Sequence, residues 1–132
     1  TLALAPAAHR PPIAFATLSG EQHELGLLAG AFLAAALGHG VVYFGAGMPS
    51  ADLARSVGDV GAAALVLSIV HPEDREALRR DLEELDAHLP VAVPVWIGAH
   101  AAMLAGLRLP ERAVIMGGYP DLRRRLKLTF GT

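Results

Sequence analysis

Ile13-Ala14-Phe15-Ala16-Thr17-Leu18, closed by Ser19-Gly20 and followed by Glu21-Gln22-His23-Glu24-Leu25-Gly26, decides the fold. The first six residues are apolar with almost no alternation, which is the pattern of a strand buried on both faces. Residues 21–37 then place Leu25, Leu28, Phe32, Ala36 and Leu37 at helical spacing, so the unit reads as strand, turn, helix.

The same unit repeats outward along the chain. Gly38 and Gly40 end the first helix, Val41-Val42-Tyr43-Phe44 is a second strand, and Gly45-Ala46-Gly47-Met48-Pro49 turns into a helix capped by Ser50. Residues 62–69 form a third apolar strand. A helix from about Pro72 to His88 follows, with Glu73, Asp74 and Glu76 in its first turn, where the helix dipole favours acids. A fourth strand covers residues 91–97, and a short apolar helix lies around residues 99–105. Ala113-Val114-Ile115-Met116 is the fifth strand, and a closing helix carries Asp121, Arg123, Arg124, Arg125 and Lys127.

Five strands alternating with five helices predict an α/β fold: a single doubly wound five-stranded parallel sheet, Rossmann- or flavodoxin-like, in strand order 2-1-3-4-5. Sheets of this kind bind ligands beyond the carboxyl ends of their strands, at the switch between strands 1 and 3. At 132 residues and 53% hydrophobic content the chain has material for one core. Residues 1–12, with Ala5-Pro6-Ala7-Ala8 and Pro11-Pro12, are expected to be a linker, and residues 13–132 the binding domain.

Composition removes several function classes. A net charge of −2 gives no electrostatic case for direct contact with nucleic acid, and the basic stripe Arg123 to Lys127 reads as a solvated helix face. The absence of cysteine excludes disulfides, thiolate metal sites and cysteine nucleophiles. No apolar run reaches membrane-spanning length, so a soluble, cytoplasmic protein without membrane contact is expected. Gly38-x-Gly40 and Gly45-x-Gly47 lack the strand-to-helix context of a dinucleotide-binding loop, and the third strand ends in Ser68 where a phosphoacceptor domain would carry aspartate.

Two segments meet at the predicted ligand edge: residues 20–26 after the first strand, and Leu67-Ser68-Ile69-Val70-His71 after the third. An imidazole binds a transition metal through one ring nitrogen while a carboxylate holds the other N–H, and Glu21 lies two residues from His23. His9, His39, His71, His88 and His100 show no recurrent ligand spacing and read as surface or capping residues.

Glu21-Gln22-His23-Glu24-Leu25-Gly26 resembles the D-x-H-x-x-G motif of cobalamin-binding domains, in the E-x-H-x-x-G form of light-sensing, adenosylcobalamin-dependent MerR-type repressors of the CarH/LitR group. Ser68-Ile69-Val70 resembles that family's S-x-L segment, and Gly98-Ala99 stands where the family has a Gly-Gly pair. The resemblance covers nearly everything from Ile13 onward. It implies that His23 ligates cobalt in place of the dimethylbenzimidazole base and that Glu21 holds His23. It further implies that the nucleotide tail enters between strands 1 and 3, where Ser68 bonds it, Gly26 leaves it room and Gly98 lines its lower end. Gln22, Val70, Ala99 and Tyr119, which follows the fifth strand, complete the expected cofactor contacts.

Three functions of different classes follow. The first is the sensory domain of a transcriptional regulator that binds cobalamin, adenosylcobalamin foremost, with DNA gripped by a separate domain and a homo-oligomer formed by the full-length protein. The second is the corrinoid-carrier domain of a methyltransferase or mutase. The third is a cofactor-free α/β interaction module. The first makes this chain a binding domain and not an enzyme.

Overall fold

The computed structural model describes residues 2–5, 10–21, 23–70 and 74–131. Among them the chain forms β1 (Leu2–Ala5), β2 (Ile13–Leu18), α1 (Leu25–Ala36), β3 (Val41–Met48), α2 (Ser50–Val60), β4 (Ala64–Ser68), α3 (Arg75–His88), β5 (Val95–Gly98), β6 (Ala113–Met116) and α4 (Tyr119–Phe130). β2 through β6 build the expected parallel sheet, with β2 between β3 and β4 and then β5 and β6 outward.

The apolar runs occupy this sheet because alternate side chains on each strand face different helix layers. Ala14, Ala16, Leu18, Leu65, Leu67, Val95 and Ile97 pack with Leu53 and Val57 of α2 and Leu78, Leu82 and Leu85 of α3. On the other face Ile13, Phe15, Val66, Trp96 and Met116 meet Leu27, Ala31 and Ala34 of α1 and Leu122 and Leu126 of α4. All six side chains of β2 are buried, as continuous apolar character requires.

Four features differ from the sequence reading. Leu2–Ala5, inside the segment expected to be a tether, pairs antiparallel with β3 and adds a sixth strand at the sheet edge. The second parallel strand runs to Met48 because Gly45 and Gly47 take positive φ (94° and 71°) and let it continue through two register shifts against β2, where a turn was expected. Ser50 is therefore the first residue of α2 and not its cap. Pro49 holds the cap position, while the buried Ser50 hydroxyl donates to Glu84 Oε1 at 2.5 Å. The short apolar helix is a single 3-10 turn, Ala101–Leu104, leaving four α-helices among the described residues.

The cap of α3 is Asp74, whose Oδ1 accepts from the N–H groups of Glu76 and Ala77 at 3.0 and 3.1 Å. Residues 71–73, where the sequence reading began this helix, lie outside the described residues. Asp74→Ala leaves two first-turn donors without this acceptor and is expected to cost about 1 kcal/mol. Urea unfolding should show the loss as a lower midpoint with an unchanged slope.

His39 also departs from expectation. It is 4% exposed, and its ring lies 5.6 Å from that of Phe130, so it belongs to the interior at the base of the sheet. Among the described residues no helix is long and apolar enough to cross a membrane.

Candidate functional site

The loop from β2 to α1 is held from below by Thr17, which is fully buried at the end of an otherwise apolar strand. Its Oγ1 donates to the Glu21 carbonyl at 2.7 Å and accepts from the Gly47 N–H at 2.8 Å, tying β2, the loop and the glycine-bearing end of β3 together. Gly20 turns the chain at φ 87°, a conformation that side chains with a Cβ rarely adopt. The Glu21 N–H then bonds the Leu18 carbonyl at 3.1 Å.

This turn buries the Glu21 side chain and leaves that of His23 57% exposed. Glu21 Oε1 lies 2.8 Å from His23 Nδ1 and 3.4 Å from the His23 backbone nitrogen; Oε2 accepts from the Val70 N–H at 3.2 Å. An ionised Glu21 accepting from Nδ1–H puts the imidazole lone pair on Nε2, which is the arrangement of carboxylate-supported metal ligands. The Val70 amide also joins the two sequence motifs, because the last residue of the serine segment steadies the carboxylate beside His23.

Glu24, the next residue, turns its carboxylate to β3 and accepts from the Tyr43 hydroxyl at 2.6 Å. Burial pushes the Tyr43 hydroxyl well above the usual tyrosine range, and the hydrogen bond and negative charge of Glu24 push it further.

Beside this loop a cavity of about 380 Å³ lies between α1, α4 and the carboxyl ends of β4, β5 and β6. Gly26, Ser68, Val70, Gly98, Ala99 and Tyr119 line it, so six residues singled out in the sequence face one space. Glu21 and His23 stand next to it, linked through Val70; Gln22 lies outside the described residues. The Tyr119 hydroxyl donates to the Gly26 carbonyl at 3.1 Å and so ties the start of α4 to the start of α1. The cavity is broader than the gap between β2 and β4 in which a tail was expected, because it continues beneath α4 to β6.

Sequence reasoning missed Thr17 and the apolar walls. The signal for Thr17 was present, as the lone hydroxyl in an apolar strand ending at the loop. Leu27, Met103 and Met116 gave none, since apolar residues at regular spacing read equally as core. His88 is exposed as expected. His100, also exposed, lies at the cavity, whereas His9 and His71 are outside the described residues.

No protein-family model matches the chain. A cobalamin-binding protein from Desulfitobacterium hafniense superimposes over 90% of this chain and 59% of its own with a TM-score of 0.73 at 21% identity. The two chains share one fold. A second structure with this fold, the monomethylamine corrinoid protein of Methanosarcina barkeri, covers 90% of this chain and 58% of its own (TM-score 0.68, 14% identity).

In sequence, 82 residues, 62% of the chain, are 37% identical to the HTH-type transcriptional repressor CarH of Myxococcus xanthus. The resemblance to the CarH group is therefore found in a named relative, and that relative is a transcriptional repressor. The match spans about a quarter of the repressor's length (27%).

Proposed function

We propose that this chain binds cobalamin base-off, with His23 as the lower ligand of cobalt and the nucleotide tail in the cavity beneath α1 and α4, as the sensory domain of a transcriptional regulator. The observation that carries the reading is the imidazole of His23, held by a carboxylate that is itself bonded to Val70 in the wall of a cavity large enough for a ligand.

The donor set fits a chelated metal better than a bare one. Among the described residues no group of three or more His, Cys, Asp or Glu could enclose an ion, so a single imidazole suits a metal whose other positions a macrocycle fills. Glu21 holds the ring and its proton at Nδ1, and Val70 holds Glu21. Gly26, Ser68, Gly98, Ala99 and Tyr119 would line the tail. Adenosylcobalamin is the form we favour, and when bound it would supply a light-sensitive carbon–cobalt bond. DNA contact belongs to a segment outside this chain.

The similarity to CarH supports the regulator. The fold of the monomethylamine corrinoid protein favours a second reading, a corrinoid carrier serving a catalytic partner. The association state of the loaded full-length protein in darkness and after illumination separates the two, since only the light-responsive regulator changes.

Incubation of the purified chain with hydroxocobalamin is expected to give one corrinoid per chain and a visible spectrum shifted by replacement of the native base. A colourless protein after gel filtration overturns the proposal. Glu21→Ala should weaken binding by about 10- to 100-fold while the His-on spectrum survives, because a group that orients a ligand tunes affinity without supplying the bond.

A further inference from the structure

Lining the cavity beside His23 are Phe15 and Val66 from the sheet, Met116 at the end of β6, Leu27 and Leu122 from the helices, and Met103 from the 3-10 turn. Phe15, Leu27, Val66, Met116 and Leu122 all belong to one buried core cluster, so hydrocarbon backs this part of the wall. Gly30 brings α1 close over it, since a Cβ at that position would sit 3.4 Å from Leu122 Cδ2 and 3.5 Å from Phe15 Cε2.

Polar side chains are few. Among the described lining residues they are Ser68, at the end of β4, the exposed His100, and Tyr119, whose hydroxyl is engaged by the Gly26 carbonyl. None is an acid, lysine or arginine.

Resting on the proposed cobalamin binding, we infer that this cavity selects among corrinoids by their lower base, accepting a benzimidazole and disfavouring a purine. The outer edge of dimethylbenzimidazole is two methyl groups on an aromatic ring, which apolar walls receive at no polar cost. Adenine presents an exocyclic amine and additional ring nitrogens, and a polar group that leaves water without a partner is penalised. Discrimination of about 10- to 100-fold is expected from one or two such groups. The exchange of ligands at cobalt biases the other way, because adenine is the weaker base and is displaced more easily by histidine. A preference for benzimidazole therefore reports the cavity.

The test is a spectroscopic titration of the chain with cobalamin, with the corrinoid identical except for adenine as lower base, and with cobinamide, which lacks the base. Cobalamin is expected to bind about 10- to 100-fold more tightly than the adenine corrinoid. Met103→Gln, a near-isosteric change on a partly buried turn residue, sets an amide in the wall and should shrink that ratio at least several-fold. Val66→Thr provides the same comparison from the sheet, with a hydroxyl in place of a methyl.

Equal affinities in the wild type, or a ratio unchanged in both variants, overturn the inference while leaving cobalamin binding intact. Tight cobinamide binding with the same His-on spectrum and no added affinity from either base also overturns it, since the base then lies outside the cavity. Failure of all three corrinoids to bind overturns the proposed function itself.

Discussion

Replacing His23 by alanine is expected to abolish the His-on spectrum of the cobalamin-loaded chain. The loss should exceed the 10- to 100-fold expected of Glu21→Ala, because the ligand is removed and not merely its support. The fold should survive. His23 is more than half exposed, belongs to neither core cluster, and follows a turn secured by Thr17 and Gly20. Ultraviolet-visible titration together with circular dichroism checks both halves of the statement. A mutant whose spectrum matches the wild type sinks the assignment of His23, and equal losses for His23→Ala and Glu21→Ala mean that their roles have been ranked wrongly.

The second large effect is expected from filling the cavity while leaving the cobalt ligand alone. Ser68→Leu and Gly26→Leu each place an isobutyl group where the tail is proposed to lie, and overfilling a packed site costs on the order of 1 to 3 kcal/mol, or about one to two decades in affinity. An added Cβ at Gly26 would already contact the Tyr119 hydroxyl at 3.6 Å, so the rest of a leucine must compete with Tyr119 or project into the cavity. Cobinamide should be much less sensitive than cobalamin. Because two ligands are compared within each mutant, a general loss of folding weakens both together and is told apart from a blocked tail. Undiminished cobalamin affinity in folded Ser68→Leu and Gly26→Leu proteins sinks the proposed path.

How much of this was legible follows from what burial writes into a sequence. Ile13–Leu18 and Ala113–Met116 have the boundaries their apolar runs imply, because a strand covered on both faces leaves little room for polar residues. The parallel order follows, and with it the meeting of Glu21, His23 and Ser68 at one edge, since topology alone brings those strand ends together. β1 was missed because Leu-Ala-Leu-Ala beside a proline-rich stretch carries little strand signal, and its pairing is a long-range choice. The end of β3 was misread because glycines that shift register in a strand are the same residues that make turns. Ser50 and His39 were assigned by residue type, while packing against Glu84 and Phe130 decided their roles. The cavity was invisible for a related reason: Phe15, Val66 and Leu122 are ordinary apolar positions until α1 and α4 fail to close completely over the sheet.

The central place of β2 has a consequence for how the molecule opens. It pairs along its length with β3 on one side and β4 on the other, and all six of its side chains are buried. Amides there should exchange with solvent only through near-global unfolding, whereas those of the exposed Ser19, Gly20, His23 and Glu24 beyond its end should exchange through smaller fluctuations. The proposed metal ligand thus stands on a loop springing directly from the last strand to come apart. A cofactor bound only by the folded chain at a hundredfold excess over its Kd adds about 2.7 kcal/mol to folding. Deuterium uptake should therefore slow along β2 on loading, far beneath the histidine that makes the bond.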